Sequence, residues 1–134
     1  MSYTRVMSDS IFTKIIRGEI LSYKVWENEK FFAFLDINPR TNGHTLVVPK
    51  EGSDYIFDLS SQDYAELWEA VREVAGKLKR VLGCQRVCVG VYGYEIAHVH
   101  VHLFPTNAEG DLPLPPVNAE AKAMLEEIAA LLRP

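Results

Sequence analysis

The chain has 134 residues, 48% hydrophobic and 24% charged, with a formal net charge of −4. That is enough chain for one domain whose core needs no disulfide or metal staple, and the acidic balance argues against a surface that coats a nucleic acid polymer. The longest apolar stretches fall far short of a membrane span and the first ten residues lack the apolar region of a secretory signal, so no membrane association and a cytoplasmic location are expected.

Residues 1–9 read as a loose tail, leaving residues 10–134 as the domain. Ser10 to Gly18 reads as a short helix, with Ser10 as its cap, an apolar face of Ile11, Phe12, Ile15 and Ile16, and Gly18 as its stop. Tyr23–Glu27 and Lys30–Ile37 read as two strands joined by a polar turn. Pro39 to Gly43 is turn chemistry, and His44–Pro49 is a third strand. Ser61–Leu82 carries a long helical period (Leu67, Val71, Val74, Leu78) behind a Ser60 cap and before Gly83. Arg86–Tyr92 and Ala97–Phe104 give two more strands. A proline-rich loop leads to an amphipathic helix over Ala119–Leu132. The two cysteines, Cys84 and Cys88, lack the spacing of a metal knuckle or redox pair and read as reduced side chains. Adjacent strands with separate helices point to an α+β fold on an antiparallel sheet of about five strands, with two main helices and a short N-terminal one.

Three of the four histidines fall in one run, His98-Val99-His100-Val101-His102. On a strand the side-chain period is two, so all three imidazoles would share a face, spaced by roughly 6.6–6.8 Å steps. Val99, Val101 and Leu103 would then pack inward. Imidazole is the side chain best suited to proton transfer, nucleophilic attack and metal binding near neutral pH. A neutral imidazole can attack phosphorus and form a phosphohistidine, provided its other nitrogen donates to a fixed acceptor. Flanking imidazoles would bind phosphate oxygens or assist a leaving group. A metal is the competing reading: two of these histidines make a common zinc or iron pair, with His44 or Glu95 to complete the set. A purely structural cluster is the third. Spacing alone leaves all three open. Asp36, at the end of an apolar strand, reads either as a turn-starting aspartate or as a carboxylate for the vicinal hydroxyls of a ribose. Ile11, Phe12, Ile15 and Phe34 are core residues that also suit a flat apolar slot for a base.

At these residues the chain resembles the histidine-triad (HIT) superfamily of nucleotide hydrolases and transferases. His98 through Phe104 match its His-φ-His-φ-His-φ-φ signature, where φ is apolar. Ile11–Ile20, Phe34–Pro39 and Gly43–Lys50 follow the family in the same order. The resemblance implies a homodimer with a nucleoside monophosphate site on each protomer and chemistry of the type AMP–X to AMP, with no cofactor and no catalytic metal. By matching position, His100 would be the nucleophile, with Nδ1–H held by a backbone carbonyl. His102 would contact the phosphate, and His98 and His44 would complete the histidine cluster. Asp36 would hold the ribose, and Ile11, Phe12, Ile15, Phe34, Ile37 and Leu46 would enclose a purine. Dinucleoside polyphosphate hydrolysis, or nucleotide binding with little turnover, are the related alternatives. Two departures stand out. Where many bacterial relatives have a Cys-x-x-Cys that helps to bind structural zinc, this chain has Ser10 and Thr13, so no structural zinc is expected. The phosphate loop is shortened to Val89–Ala97. There Gly93 still offers a backbone N–H, Tyr94 replaces a glutamine, and Glu95 adds negative charge.

Overall fold

In the computed structural model, which describes residues 9–134, every strand is antiparallel to its neighbours. The strands are β1 (Lys24–Glu27), β2 (Phe31–Leu35), β3 (Thr45–Pro49), β4 (Arg86–Gly90) and β5 (Val101–Thr106), in the spatial order β1-β2-β3-β5-β4. The expected tail therefore lies, apart from Asp9, outside the described residues.

Alternation along the strands sorts side chains onto two faces. Phe31, Ala33, Val47, Val101 and Leu103 point to one face, where Leu67, Ala70, Val71, Val74 and Leu78 of α2 (Ser61–Leu82) cover them. Burying each large aliphatic side chain there contributes about 1.5–3 kcal/mol. The bounds of α2 match the sequence signals. Ser60 Oγ accepts from the Asp63 N–H at 3.1 Å, and Gly83 closes the helix at φ +67. The opposite face carries Phe32, Phe34, Leu46 and Val48, closed by Phe12 of α1 (Ile11–Ile16). All five residues of β3 are buried, since it is covered on both faces.

Two elements differ from the sequence reading. The strand expected at Ala97–Phe104 begins only at Val101 and runs on to Thr106. Upstream, the Val99 N–H donates to the Ser53 carbonyl at 2.6 Å, in the loop after β3, and His98 N–H turns back to Ile96. The β3 ladder partners of β5 end at Val101, so His98 and His100 precede the strand, yet Val99 still joins the core as the alternation requires. Pro105 fits in the strand because β5 pairs with β3 only over Val101–Leu103, and its missing N–H takes no donor from that ladder. The C-terminal helix is divided at Met124 into α3 (Ala119–Ala123) and α4 (Leu125–Leu132), and neither buries a residue. Cys84 and Cys88 are both free.

Candidate active site

β3 and β5 pair side by side, with Leu46 opposite His102, and the turn leading into β3 delivers His44. That turn is tight. Gly43 sits at φ +87, a conformation that side chains avoid, and the His44 N–H closes it on the Thr41 carbonyl. His44 is thus buried beside His102, with Phe104 tilted against His44 at a ring-centroid distance of 4.3 Å and stacked parallel to His102 at 5.6 Å.

The hydrogen bonds assign a proton to each ring. The Arg40 main-chain N–H donates to His44 Nδ1 at 3.1 Å, so the His44 proton sits on Nε2, from which it is donated to His102 Nδ1 at 2.9 Å. The His102 proton is thereby left on Nε2. His100 Nδ1–H donates to the His98 main-chain carbonyl at 2.7 Å, which leaves its Nε2 with a lone pair. His98 Nε2–H donates to the Pro49 carbonyl at 2.7 Å, and its Nδ1 accepts from the Ser10 hydroxyl at 2.6 Å. Burial holds the pKa of His44, His98 and His102 below the ordinary histidine range. The effect brings His102 down to about 4, with the neighbouring His100 and His44 adding to it. Asp36 opposes the shift at His44.

A cavity of about 730 Å³ opens over this cluster, lined by Asp36, His44, His100 and His102 together with Gly93 and Glu95. Of the residues singled out from sequence, those six converge, and Tyr94 of the shortened loop joins them in the wall. His98 does not line the cavity: both its ring nitrogens are engaged elsewhere and the side chain is 1% exposed. Asp36 Oδ1 accepts from the Asn38 N–H at 2.8 Å, the turn bond expected of a strand-end aspartate, while Oδ2 lies 3.7 Å from His44 Nε2. The six apolar residues expected around a base lie outside the cavity wall. Phe12, Phe34 and Leu46 are buried in the adjoining cluster with Ile15 against it, whereas Ile11 and Ile37 are exposed, at 45% and 75%. Phe12 is the bridge between cluster and site, edge-on to His100 at 4.9 Å and His98 at 5.7 Å.

Sequence reasoning gave no site role to Asn38, Arg40, Tyr92, Phe104 and Leu112, which also line the cavity wall. Arg40 reads as part of a turn, yet it orients His44 through its N–H and brings a guanidinium to the cavity. Tyr92 packs edge-on to His102 at 5.3 Å. Phe104, sixth after His98 in the alternating run, was legible as the next residue on the histidine face.

Asp36, His44 and His102 offer atoms within 4.8 Å of one another. The His44 nitrogen facing that group carries the proton, however, and moving it to Nδ1 would set it against the Arg40 N–H. This donor set therefore suits a proton network better than a cation. At the positions where a Cys-x-x-Cys would help to bind structural zinc, Ser10 and Thr13 supply only hydroxyls, and the Ser10 hydroxyl already holds His98 Nδ1. Zinc sites are built from thiolate, imidazole and carboxylate, so these residues do not fit that ion.

The HIT domain model matches residues 17–109, more than half of the chain. An uncharacterized HIT-like protein of Borreliella burgdorferi is 38% identical over 106 residues, covering 74% of this chain and 76% of the relative. The adenosine 5′-monophosphoramidase of Schizosaccharomyces pombe is 34% identical over 134 residues, covering 92% of this chain and 98% of its own. Among solved structures, a HIT family protein from Bacillus anthracis superposes with a TM-score of 0.75 at 32% identity, covering 91% of this chain and 93% of that one. A histidine run placed on β5 and its approach, a fourth histidine delivered by the turn into β3, and these matches together make the chain a member of the HIT family of nucleotide-binding hydrolases and transferases.

Proposed function

We propose that this protein hydrolyses purine nucleoside monophosphate derivatives, AMP–X to AMP, through a nucleotidyl-histidine on His100. The observation that carries the reading is the His100 tautomer. With Nδ1–H committed to the His98 carbonyl, the Nε2 lone pair is left to attack the α-phosphorus. As the N–P bond forms and the bond to X breaks, the ring becomes cationic, and the same carbonyl stabilises it. His102, neutral because burial holds its pKa to about 4, donates from Nε2–H to a phosphate oxygen. Arg40 adds positive charge at the cavity wall. X leaves with the electron pair of the broken bond and takes the His102 Nε2 proton to depart as X–H. Water then attacks the phosphorus and returns a proton to His102, and the N–P electron pair goes back to His100 Nε2 as AMP is released. Asp36 takes the ribose hydroxyls. The name of the S. pombe relative supports an amine as X. Glu95 in the cavity wall points the same way, because its carboxylate repels a polyphosphate leaving group and tolerates an amine.

A homodimer is part of the reading. β4 is an edge strand, its Val89 is exposed, and so are Val81 and Leu82 at the end of α2 and Leu125, Ile128 and Leu131 of α4. A free strand edge, together with exposed apolar side chains on β4 and α4, suits a second copy. Among the described residues no helix is long and apolar enough to cross a membrane.

The test is to incubate chelator-treated protein with an adenosine phosphoramidate and follow AMP release, with His100→Asn alongside. Release by wild type and none by the variant, with AMP binding retained in both, is expected. Equal release by the two proteins would overturn the role of His100. Binding of AMP without release by either would move the reading to a nucleotide-binding protein.

A further inference from the structure

The strongest unassigned contact is the one between the N-terminal helix and the histidine run. Ser10 and His98 are 88 positions apart, yet Ser10 Oγ lies 2.6 Å from His98 Nδ1. The proton accounting is forced. Pro49 contributes a carbonyl, which can only accept, so His98 carries its proton on Nε2. In the neutral ring Nδ1 is then an acceptor, and the Ser10 hydroxyl must donate to it. Ser10 also accepts, from the Thr13 N–H at 3.1 Å as the helix N-cap and from the Thr13 hydroxyl at 3.2 Å. Ser10 Oγ thus donates to His98 and accepts from Thr13, while His98 donates from Nε2 and accepts at Nδ1. Both ring nitrogens of His98 are therefore held.

We infer that Ser10 is a positioning residue for His100: its hydroxyl fixes His98, and the main-chain carbonyl of His98 in turn fixes the His100 Nδ1–H. His98 and His100 stand outside the β-ladder, which begins at Val101. The usual strand hydrogen bonds therefore do not hold that carbonyl in place. What holds this stretch is the Val99 N–H to Ser53 bond, the two side-chain bonds of His98, and Phe12, which packs edge-on against both rings. Phe12 is carried by the helix that Ser10 caps, so both contacts arrive from one element. His98 thus acts through His100 and does not itself face the cavity, and α1 becomes part of the site's support. The inference rests on the proposed role of His100, and its test is chosen to stand apart from that role.

Three variants separate the helix cap from the His98 bond. Ser10→Gly keeps an acceptable N-cap residue and removes the hydroxyl. Ser10→Thr keeps both functions. Ser10→Ala removes both. Ring ¹⁵N chemical shifts read the His100 tautomer directly and need no turnover. Wild type and Ser10→Thr should show His100 purely as the Nδ1–H form, whereas Ser10→Gly and Ser10→Ala should show a mixture with the Nε2–H form. In the hydrolase assay Ser10→Gly should lose about tenfold in kcat, with AMP affinity within about twofold of wild type and Ser10→Thr restoring the rate. A wild-type His100 tautomer in folded Ser10→Gly would overturn the inference. So would a rate loss that merely tracks a fall in the folded fraction, or one that Ser10→Thr fails to restore. If wild-type protein turns over no phosphoramidate, the hydrolase reading fails while the tautomer measurement still decides the role of Ser10.

Discussion

Lowering the pH from about 7.5 to about 5 should cost this fold about 2 kcal/mol through His102 alone. Burial, then the adjacent His100 and His44 rings, push that imidazole from the ordinary 6.5 down to about 4. The unfolded chain therefore takes up a proton near pH 6.5, while the folded ring stays neutral until about pH 4. Between those values the unfolded state binds more protons, so stability falls as pH falls. The contribution is fully present above the unfolded value and is lost as pH drops through the folded one. At 1.36 kcal/mol per pKa unit the ceiling is about 3 kcal/mol, of which about 2 kcal/mol is gone by pH 5. The assay is urea denaturation of wild type and His102→Asn at both pH values. Asn keeps an acceptor for the His44 Nε2–H and removes the titration. Glu27 and Glu66, held below the usual carboxylate range chiefly by lysine hydrogen bonds, titrate in both proteins and cancel. Wild type should lose about 2 kcal/mol more than the variant on acidification. Parallel losses would refute the claim that His102 is held neutral by the fold.

Gly43→Ala should destabilise by about 2 kcal/mol or more: the residue holds φ +87, and an added Cβ would meet Leu82 Cδ1 and stand 3.3 Å from Pro105 Cγ. A melting temperature within about 2 °C of wild type would contradict this. Gly90→Ala places a Cβ 2.7 Å from the Tyr92 hydroxyl oxygen, so Tyr92 must move off His102. The His102 pKa should then rise toward the ordinary value, read by NMR titration, and an unchanged titration would show that Tyr92 does not shield the ring. Asp36→Ala should weaken AMP about tenfold in calorimetry and leave 2′,3′-dideoxy-AMP unaffected; an equal loss for both ligands would remove Asp36 from the ribose contact.

Most of the fold was legible because its periods are clean. The twenty-two residues of α2 carry an apolar stripe between a serine cap and a glycine stop, and the structure keeps those bounds. Val99, Val101 and Leu103 alternate as core residues, so the histidines had to share the other face. What the sequence hid was tertiary. Nothing local tells that the strand bonds of His98 and His100 are replaced by Ser53, Pro49 and Ser10, since those partners lie in distant segments. Arg40 was invisible for a similar reason: its contribution to His44 is a main-chain N–H, which every residue but proline carries. The break at Met124 separates two stretches that each favour helix, and no buried contact on either side demands that they align.

The pairing of β3 with β5 has a kinetic meaning. It joins Thr45 to Leu103 across the whole of α2 and β4, the kind of non-local closure that costs chain entropy before it returns any contact energy. His44 arrives with the first side of that closure and His102 with the second. The proton network between them therefore cannot exist in any partly folded species that lacks the β3–β5 ladder. During synthesis from the N-terminus, roughly three-quarters of the chain must emerge before the two imidazoles can meet. Refolding followed through the ring protons of His44 and His102 would therefore register completion of the sheet.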